Sequence, residues 1–489
     1  MMPSTKNYFF NHVTLWFGLI TFLLILTFAG RTESFPAQQD EEIATAESEP
    51  IYLPAVRHDP SPTPSPTPTT PPTSTPLPTL TPTPTATQSP TSTPFPTPLP
   101  GEEGTEVRGI WVSRFDWTSS VSGAETEKID EIVDNVALAG FNMIYFQVRG
   151  TADAFYTPGL EPWSQRMTGN SLGDDPGWDP LERLIEKAHA ENIEVHAYIN
   201  VYPVWLGCDA PPDNTTPQHL YHKLDDIYIG GISDVLQQSQ FGTIYCGDGE
   251  YQRIAPSSQP FDEHVLAVTA DLISRYDIDG IHLDHIRYGA TGASFDPASN
   301  QAYELEKHLY NRKDWQRRQV NGTVNKFYQQ AVQADRKLWL SAAVWPVYRD
   351  YWDWQVGQGY ENYYQDSKEW VQEGYIDSIS PMIYPGTFNC PANGINDSFW
   401  SLSVWETLVR DFQASKDDRY VIPGIGTGYC SFADIENRIA KAREIGTAGH
   451  SLFSYRGLLQ TEDGKTYFEL LRAGPYQTNA KLPEITWHE

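Results

Sequence analysis

The stretch DIDGIHLDHIRYG, residues 277–289, decides the fold. Ile281 and Leu283 alternate with Gly280, His282 and Asp284, the period of a β-strand whose two faces meet different surroundings. The strand follows an amphipathic stretch, FDEHVLAVTADLISRYD (261–277), that reads as a helix. A strand of this kind belongs to a parallel sheet covered by helices, with Ile281 and Leu283 beneath them and His282 and Asp284 turned the other way.

The same unit recurs on both sides. VRGIWVS (107–113), FNMIYFQVRG (141–150), IEVHAYIN (193–200), LWLSAAVW (338–345), YIDSISPMIYP (375–385), RYVIPGIG (419–426) and AGHSLFSYRG (448–457) read as strands, each followed by a helical pattern. Eight such repeats predict a (β/α)8 TIM barrel over residues 105–475, with 476–489 as a C-terminal tail. An open doubly wound sheet is the competing arrangement, but no glycine-rich phosphate loop follows any strand.

In a closed barrel of this type the chemistry sits at the C-terminal ends of the strands. The two-residue period turns inward Tyr145, Gln147 and Arg149; His196, Tyr198 and Asn200; His282 and Asp284; Ala343 and Trp345; Ser380, Met382 and Tyr384; and Phe453 and Tyr455. Arg287 and Tyr288 follow directly after the fourth strand. Polar groups from separate strands thus converge on one mouth. Trp111, Trp117, Trp163, Trp178, Trp205, Trp345, Trp352 and Trp354 lie at or after strand ends, where indole faces stack on pyranose rings. The combination points to a carbohydrate ligand.

The rest of the chain bounds the setting. Residues 1–30 carry the apolar run VTLWFGLITFLLILTFAG, expected to be a signal peptide or an uncleaved membrane anchor. Residues 31–104 form a linker: positions 51–100 hold 17 of the 38 prolines, mixed with Thr and Ser, a composition that builds no core. An exported, extracellular or cell-surface protein is expected, touching a membrane only through its N-terminal segment. The net charge of -29 argues against a nucleic-acid partner, because no basic stripe offsets it. A monomer needing no cofactor and no metal is expected. Cys208 and Cys246 share the insertion after the third strand, whereas Cys390 and Cys430 follow the neighbouring sixth and seventh strands. The pairs Cys208–Cys246 and Cys390–Cys430 are expected as disulfides.

RGIWVS, GFNMIYFQVRGTADAFY, EPWS, DPLERLIEKAHAENIEVHAYINVY, DGIHLDHIRY, WVQEGYIDSISPMIYP and SLFSY together resemble the glycosyl-hydrolase-like family 10 barrels. These are exported bacterial proteins, some of which act on peptidoglycan glycan strands. The resemblance spans 107–475 and implies a glycosidase whose functional positions are Gln147, Arg149, Asp153, Asn200, Asp279, His282, Asp284, Tyr288 and Tyr384. The family often places a second Asp directly after the strand-four Asp; this chain has His285 there. The DG-x-x-x-D pattern of the fourth strand is also similar to amylase-type barrels, with Asp284 at the nucleophile position.

Glycoside hydrolysis normally uses two carboxyl groups. Asp284 is the first, by inward phase and strand-end position. Asp153 and Asp350 are the candidates for the second, ahead of Glu161 and Asp353, and the acetamido group of an N-acetylated sugar is an alternative to a protein nucleophile. Asp279, on the helix side, is expected to be structural. Two other classes stay open: a non-catalytic glycan-binding barrel, and a metal-dependent hydrolase or deacetylase built on His196, His282, Asp284 and His285.

Overall fold

A computed structural model describes residues 104–247, 249–334, 336–386, 398–429 and 431–488. The N-terminal segment 1–30, nearly all of the 31–104 linker, and Cys390 and Cys430 lie outside the described residues. Among the described residues no helix is long and apolar enough to cross a membrane.

Strands and helices alternate as the sequence pattern requires. The strands are β1 (Val107–Val112), β2 (Met143–Arg149), β3 (Glu194–Asn200), β4 (Gly280–Asp284), β5 (Trp339–Val344) and β6 (Ser378–Pro381), then β7 in two pieces (Tyr420–Val421 and Gly424–Gly426) and β8 (Gly449–Phe453). The helix after each is α1 (Thr126–Ala139), α2 (Pro180–Ala190), α3 (Gln259–Arg275), α4 (Arg312–Gln333), α5 (Ser367–Gln372), α6 (Leu402–Gln413), α7 (Phe432–Ile445) and α8 (Tyr467–Ala473). Neighbouring strands pair in parallel from β1 to β6, and β8 pairs with β1.

The seventh strand completes the circuit. Tyr420–Val421 pairs with β6, and Gly424–Gly426 pairs with β8. Between them Ile422 donates its N–H to the Ile379 carbonyl at 3.0 Å, and the Pro423 carbonyl accepts from the Ser451 N–H at 3.1 Å. Proline has no N–H to offer a ladder, which is why the strand breaks at this point while its carbonyl still bonds.

Two cores follow from the two faces. Ile144, Phe146, Val148, Val195, Ile281 and Leu283 join the aliphatic faces of the helices in one outer core. A smaller inner core of Val107, Trp111, Met143, Tyr145, Tyr198, Trp339 and Ile422 fills the lumen. The helix ends are capped locally. Asp179 accepts from the backbone N–H groups of Leu181 and Glu182 to start α2, and Gly140, left-handed at φ 88°, ends α1.

The floor of the barrel is finished by the last residues. Leu482 and Ile485 pack against the inner core, and the Trp487 indole N–H donates to Asp377 at 2.6 Å. Ala480–Lys481 pairs in parallel with Gly104–Thr105, so the two ends of the described chain meet there. Residues 476–488 are therefore part of the domain's packing, with Tyr476 fully buried.

Space is tight inside the lumen. A Cβ added to Gly280 would lie 2.5 Å from the His196 ring and 2.6 Å from the Trp339 carbonyl oxygen. Gly280→Ala should lower unfolding free energy by about 1–3 kcal/mol in urea titration. The electrostatics at the floor make a second measurable statement. Burial pushes the Glu106 carboxyl up, but Arg443, His450 and Arg108 more than offset it and hold it at about 2. A folded-state value below the ordinary 4.5 means this contribution is full above about pH 4.5 and disappears as pH falls towards 2. Glu106→Gln should therefore be less stable than the parent at pH 6, and its stability should fall less steeply between pH 5 and pH 3.

Candidate active site

Asp284 ends β4 and opens onto the barrel mouth, only 3% exposed. Its β3 register partner is Asn200. Tyr198, two residues earlier on β3, donates its hydroxyl to Oδ2 at 2.8 Å. Oδ1 accepts from the His285 backbone N–H at 2.5 Å and from Arg287 Nη1 at 3.2 Å. Burial alone would raise the carboxyl's pKa. The adjacent His285 and the Arg287 guanidinium, with the donors just named, outweigh it and hold Asp284 at about 2. It is an anion at every working pH.

The backbone contributes to this. His285 has a left-handed φ of 49°, a conformation that costs a residue with a Cβ about 1–2 kcal/mol. The same residue's N–H is the one donated to the Asp284 carboxylate, and backbone strain of this kind persists when surrounding contacts fix it.

One layer below lies His282, completely buried. The Trp111 indole, which is only a donor, gives its N–H to Nε2 at 2.9 Å. The ring proton is consequently on Nδ1, donated to Ser341 Oγ at 2.8 Å. Burial depresses His282 to about 3, so it is neutral. With both ring nitrogens engaged by protein groups, His282 supports the site from beneath and offers no lone pair to a metal or a substrate. His196 lies lower still, paired with Gly280 at the start of β4 and 3.2 Å from Glu194. The four residues considered for a metal centre are therefore spread over different levels of the barrel. Among the described residues, no group of three or more His, Cys, Asp or Glu side chains is placed to hold a metal ion.

Several of the predicted residues are engaged in local structure, and some of them face away from the mouth. The β2–β3 register shifts between Gln147 and Arg149, a bulge that pairs Arg149 with the outward-facing Ile199. Arg149 is thus turned out of the lumen, fully buried against Glu161 at 2.9 Å and donating to the carbonyls of Asn200 and Val201. Tyr455 follows the end of β8 in a short 3-10 turn; it joins the outer core and accepts from Asn135 of α1 at 2.7 Å. Tyr288 also belongs to the outer core, edge-on to Tyr364. Asp350 accepts from the backbone N–H groups of Trp352, Trp354 and Gln355 and organises its own loop. Asp153 Oδ1 accepts the Thr151 N–H at 2.6 Å, bracing the turn after β2. Asp279 bonds the Val195 N–H at 2.8 Å and lies 2.9 Å from His189, on the helix side of the sheet.

The residues gathered at the mouth form a mixed polar and aromatic surface. Both amide atoms of Asn200 and the Gln147 Nε2 are buried without a hydrogen-bond partner, while Gln147 Oε1 accepts from the Arg114 N–H. Tyr384 stacks on Phe453 at 5.1 Å. The Trp345 ring stacks near Tyr363 at 4.0 Å, with the Arg287 guanidinium 5.5 Å from its centroid.

Sequence periodicity missed three contributors, Arg114, Tyr251 and Arg253. Arg114 Nη2 donates to the Tyr251 hydroxyl at 2.6 Å, and the Tyr251 ring lies edge-on to His285 at 5.4 Å. Tyr251 and Arg253 come from a hairpin inside the β3 insertion, where Pro203–Leu206 pairs antiparallel with Tyr251–Arg253. The Cys208–Cys246 disulfide closes this insertion. The two cysteines bracketing it were the available signal.

Residues 106–411 match the family model described as Glycosyl hydrolase-like 10, and the chain belongs to that family. The glycosyl hydrolase YngK of Bacillus subtilis is 29% identical over 316 residues, covering 61% of this chain and 58% of that protein. The glycosyl hydrolase DigH of Escherichia coli K12 is 26% identical over 336 residues, 62% of this chain and 71% of the relative. The chain thus spans little more than half the length of the Bacillus relative it matches. Among solved structures, the fold is similar to the PgaB glycoside hydrolase domain of Bordetella bronchiseptica (TM-score 0.52, 12% identity, 75% of this chain and 98% of that one). It is also similar to the catalytic domain of β-amylase from Paenibacillus polymyxa (TM-score 0.50, 12% identity, 75% and 97% covered).

Tyr198→Phe tests the electrostatic account of Asp284. Loss of one donor should move the Asp284 pKa up from about 2 towards the ordinary carboxylate range, as followed by the side-chain carboxyl carbon resonance in an NMR titration.

Proposed function

We propose that the protein is a glycoside hydrolase acting on a polysaccharide or peptidoglycan glycan strand outside the cell, exported by an N-terminal segment that serves as a signal peptide or a membrane anchor. The observation that carries this reading is the buried carboxylate of Asp284, ionised and ringed by donors, at the mouth of a parallel barrel in a glycosyl hydrolase-like chain. The names of its Bacillus and Escherichia relatives support the same reaction class.

The charge state assigns the role. Cleavage of a glycosidic bond develops positive charge on the sugar ring and requires a proton on the leaving oxygen. Asp284, held at about 2, has no proton to donate and is the negative partner of the developing charge, either bonding to the anomeric carbon or orienting a substrate acetamido group that does so. Proton donation falls to a second acid. Asn200 and Gln147 supply unused amide donors and an acceptor beside it, suited to ring hydroxyls or an acetamido group. Trp345 and Tyr384 supply apolar faces for the ring.

A non-catalytic glycan-binding barrel is the second reading, favoured by the engagement of the Asp350 carboxylate within its own loop. One variant separates the two. Asp284→Asn should lower the release of reducing ends from a cleaved glycan by about 10²–10⁴-fold while glycan binding is retained. Turnover near that of the parent would refute the catalytic assignment, and binding without release of reducing ends by the parent protein would favour the second reading.

A further inference from the structure

The charge at the mouth is unbalanced, and the imbalance has the opposite sign to the whole chain. Arg253 and Arg287 are 8% and 5% exposed. Arg287 pairs with Asp284 at 3.2 Å. Among the described residues the Arg253 side chain donates one hydrogen bond, from Nη1 to the Tyr251 carbonyl at 3.2 Å, and makes no ion pair. Two largely buried guanidinium groups therefore flank the one buried carboxylate of Asp284, with Glu250 the further acidic group that acts on Arg253, although the chain carries a net charge of -29. A guanidinium taken out of water without an anion is costly.

The fold keeps Arg253 at the mouth by several separate devices. It stands on the antiparallel hairpin of the β3 insertion, which the Cys208–Cys246 bond closes. Gln252 of the same strand donates to the carbonyls of Gly207 and Asp209 and fixes the turn of that hairpin. Gly289, just beyond β4, leaves the room the guanidinium occupies; a Cβ there would lie 2.7 Å from Arg253 Nη1. The electrostatics agree with close approach. Burial, followed by the nearby Arg287, lowers Arg253 to about 10, and burial with Arg287, Arg253 and Arg114 keeps the His285 ring neutral despite Asp284.

We propose that Arg253 and Arg287 form an anion subsite that binds an oxyanion substituent, a carboxylate or a sulfate ester, on a sugar ring held beside Asp284. The inference rests on the reading of this mouth as a glycan site and adds the chemical class of the glycan. A guanidinium fork matches the paired oxygens of either group. The anion also completes the partnership that Asp284 alone leaves half-filled.

The test uses the full-length protein and three hexasaccharides of one backbone: a uronic-acid form, its carboxyl-reduced form and a 6-O-sulfated neutral form. Calorimetric titration should show at least one of the two anionic forms binding about tenfold or more tightly than the reduced form. Arg253→Gln should abolish that difference, with the larger loss falling on the anionic forms. Arg253→Lys, which keeps the charge and loses the fork, should give an intermediate loss and keeps the test readable if the glutamine variant fails to fold. Whichever anion is preferred identifies the substituent. Equal binding of all three forms, equal loss for all three in Arg253→Gln, or no binding of any, would overturn the proposal. Cleavage without charge preference would leave the hydrolase reading standing and remove this one; charge-selective binding without released reducing ends would do the reverse.

Discussion

Removing the Asp284 carboxylate from water is the constraint around which the barrel mouth is organised. An isolated buried carboxylate would take up a proton, so its charge persists only where fixed donors replace the lost solvent. Here the replacements come from separate parts of the chain: the β3 hydroxyl of Tyr198, the turned backbone of His285 and the guanidinium of Arg287. Each donor needs its own support. Tyr198 is packed into the inner core, and Arg287 lies over Trp345. Beneath them, the Trp111–His282–Ser341 chain gives the lumen a fully bonded polar layer where water would otherwise be required.

How much of this could be read from the residues depended on which interaction fixed each side chain. Alternation with a period of two set the strands, the helix-facing aliphatics and the inward positions of His282, Asp284, Tyr198 and Asn200, because a closed parallel ring leaves only two faces. The reading failed where the period itself broke. Arg149 lies just past a bulge, and one extra residue is enough to reverse its side. Tyr455 lies past the last ladder bond of β8, where a short turn replaces the strand. Position along a strand was also invisible: His196 and His282 share Asp284's face, but depth in the lumen separates them from the mouth.

Loop residues posed a different problem. Asp153 and Asp350 have the chemistry of catalytic acids, yet both accept short-range hydrogen bonds from nearby backbone N–H groups and brace their own turns, and no periodic pattern announces such turns. Tyr251 and Arg253 arrive from an insertion whose hairpin pairs residues nearly fifty positions apart, so their neighbours are set by tertiary structure alone. Family likeness and composition pointed to sugar; the electrostatic character of the mouth came only from the folded arrangement.

The meeting of Gly104–Thr105 with Ala480–Lys481 has a topological consequence. A ring of strand–helix units whose outermost segments already lie hydrogen-bonded side by side has no preferred starting point. Joining those segments with a short peptide and opening the polypeptide at an exposed loop elsewhere would yield a circularly permuted barrel with the same neighbours throughout. The order in which the units are written along the gene is, for this domain, separable from the order in which they touch.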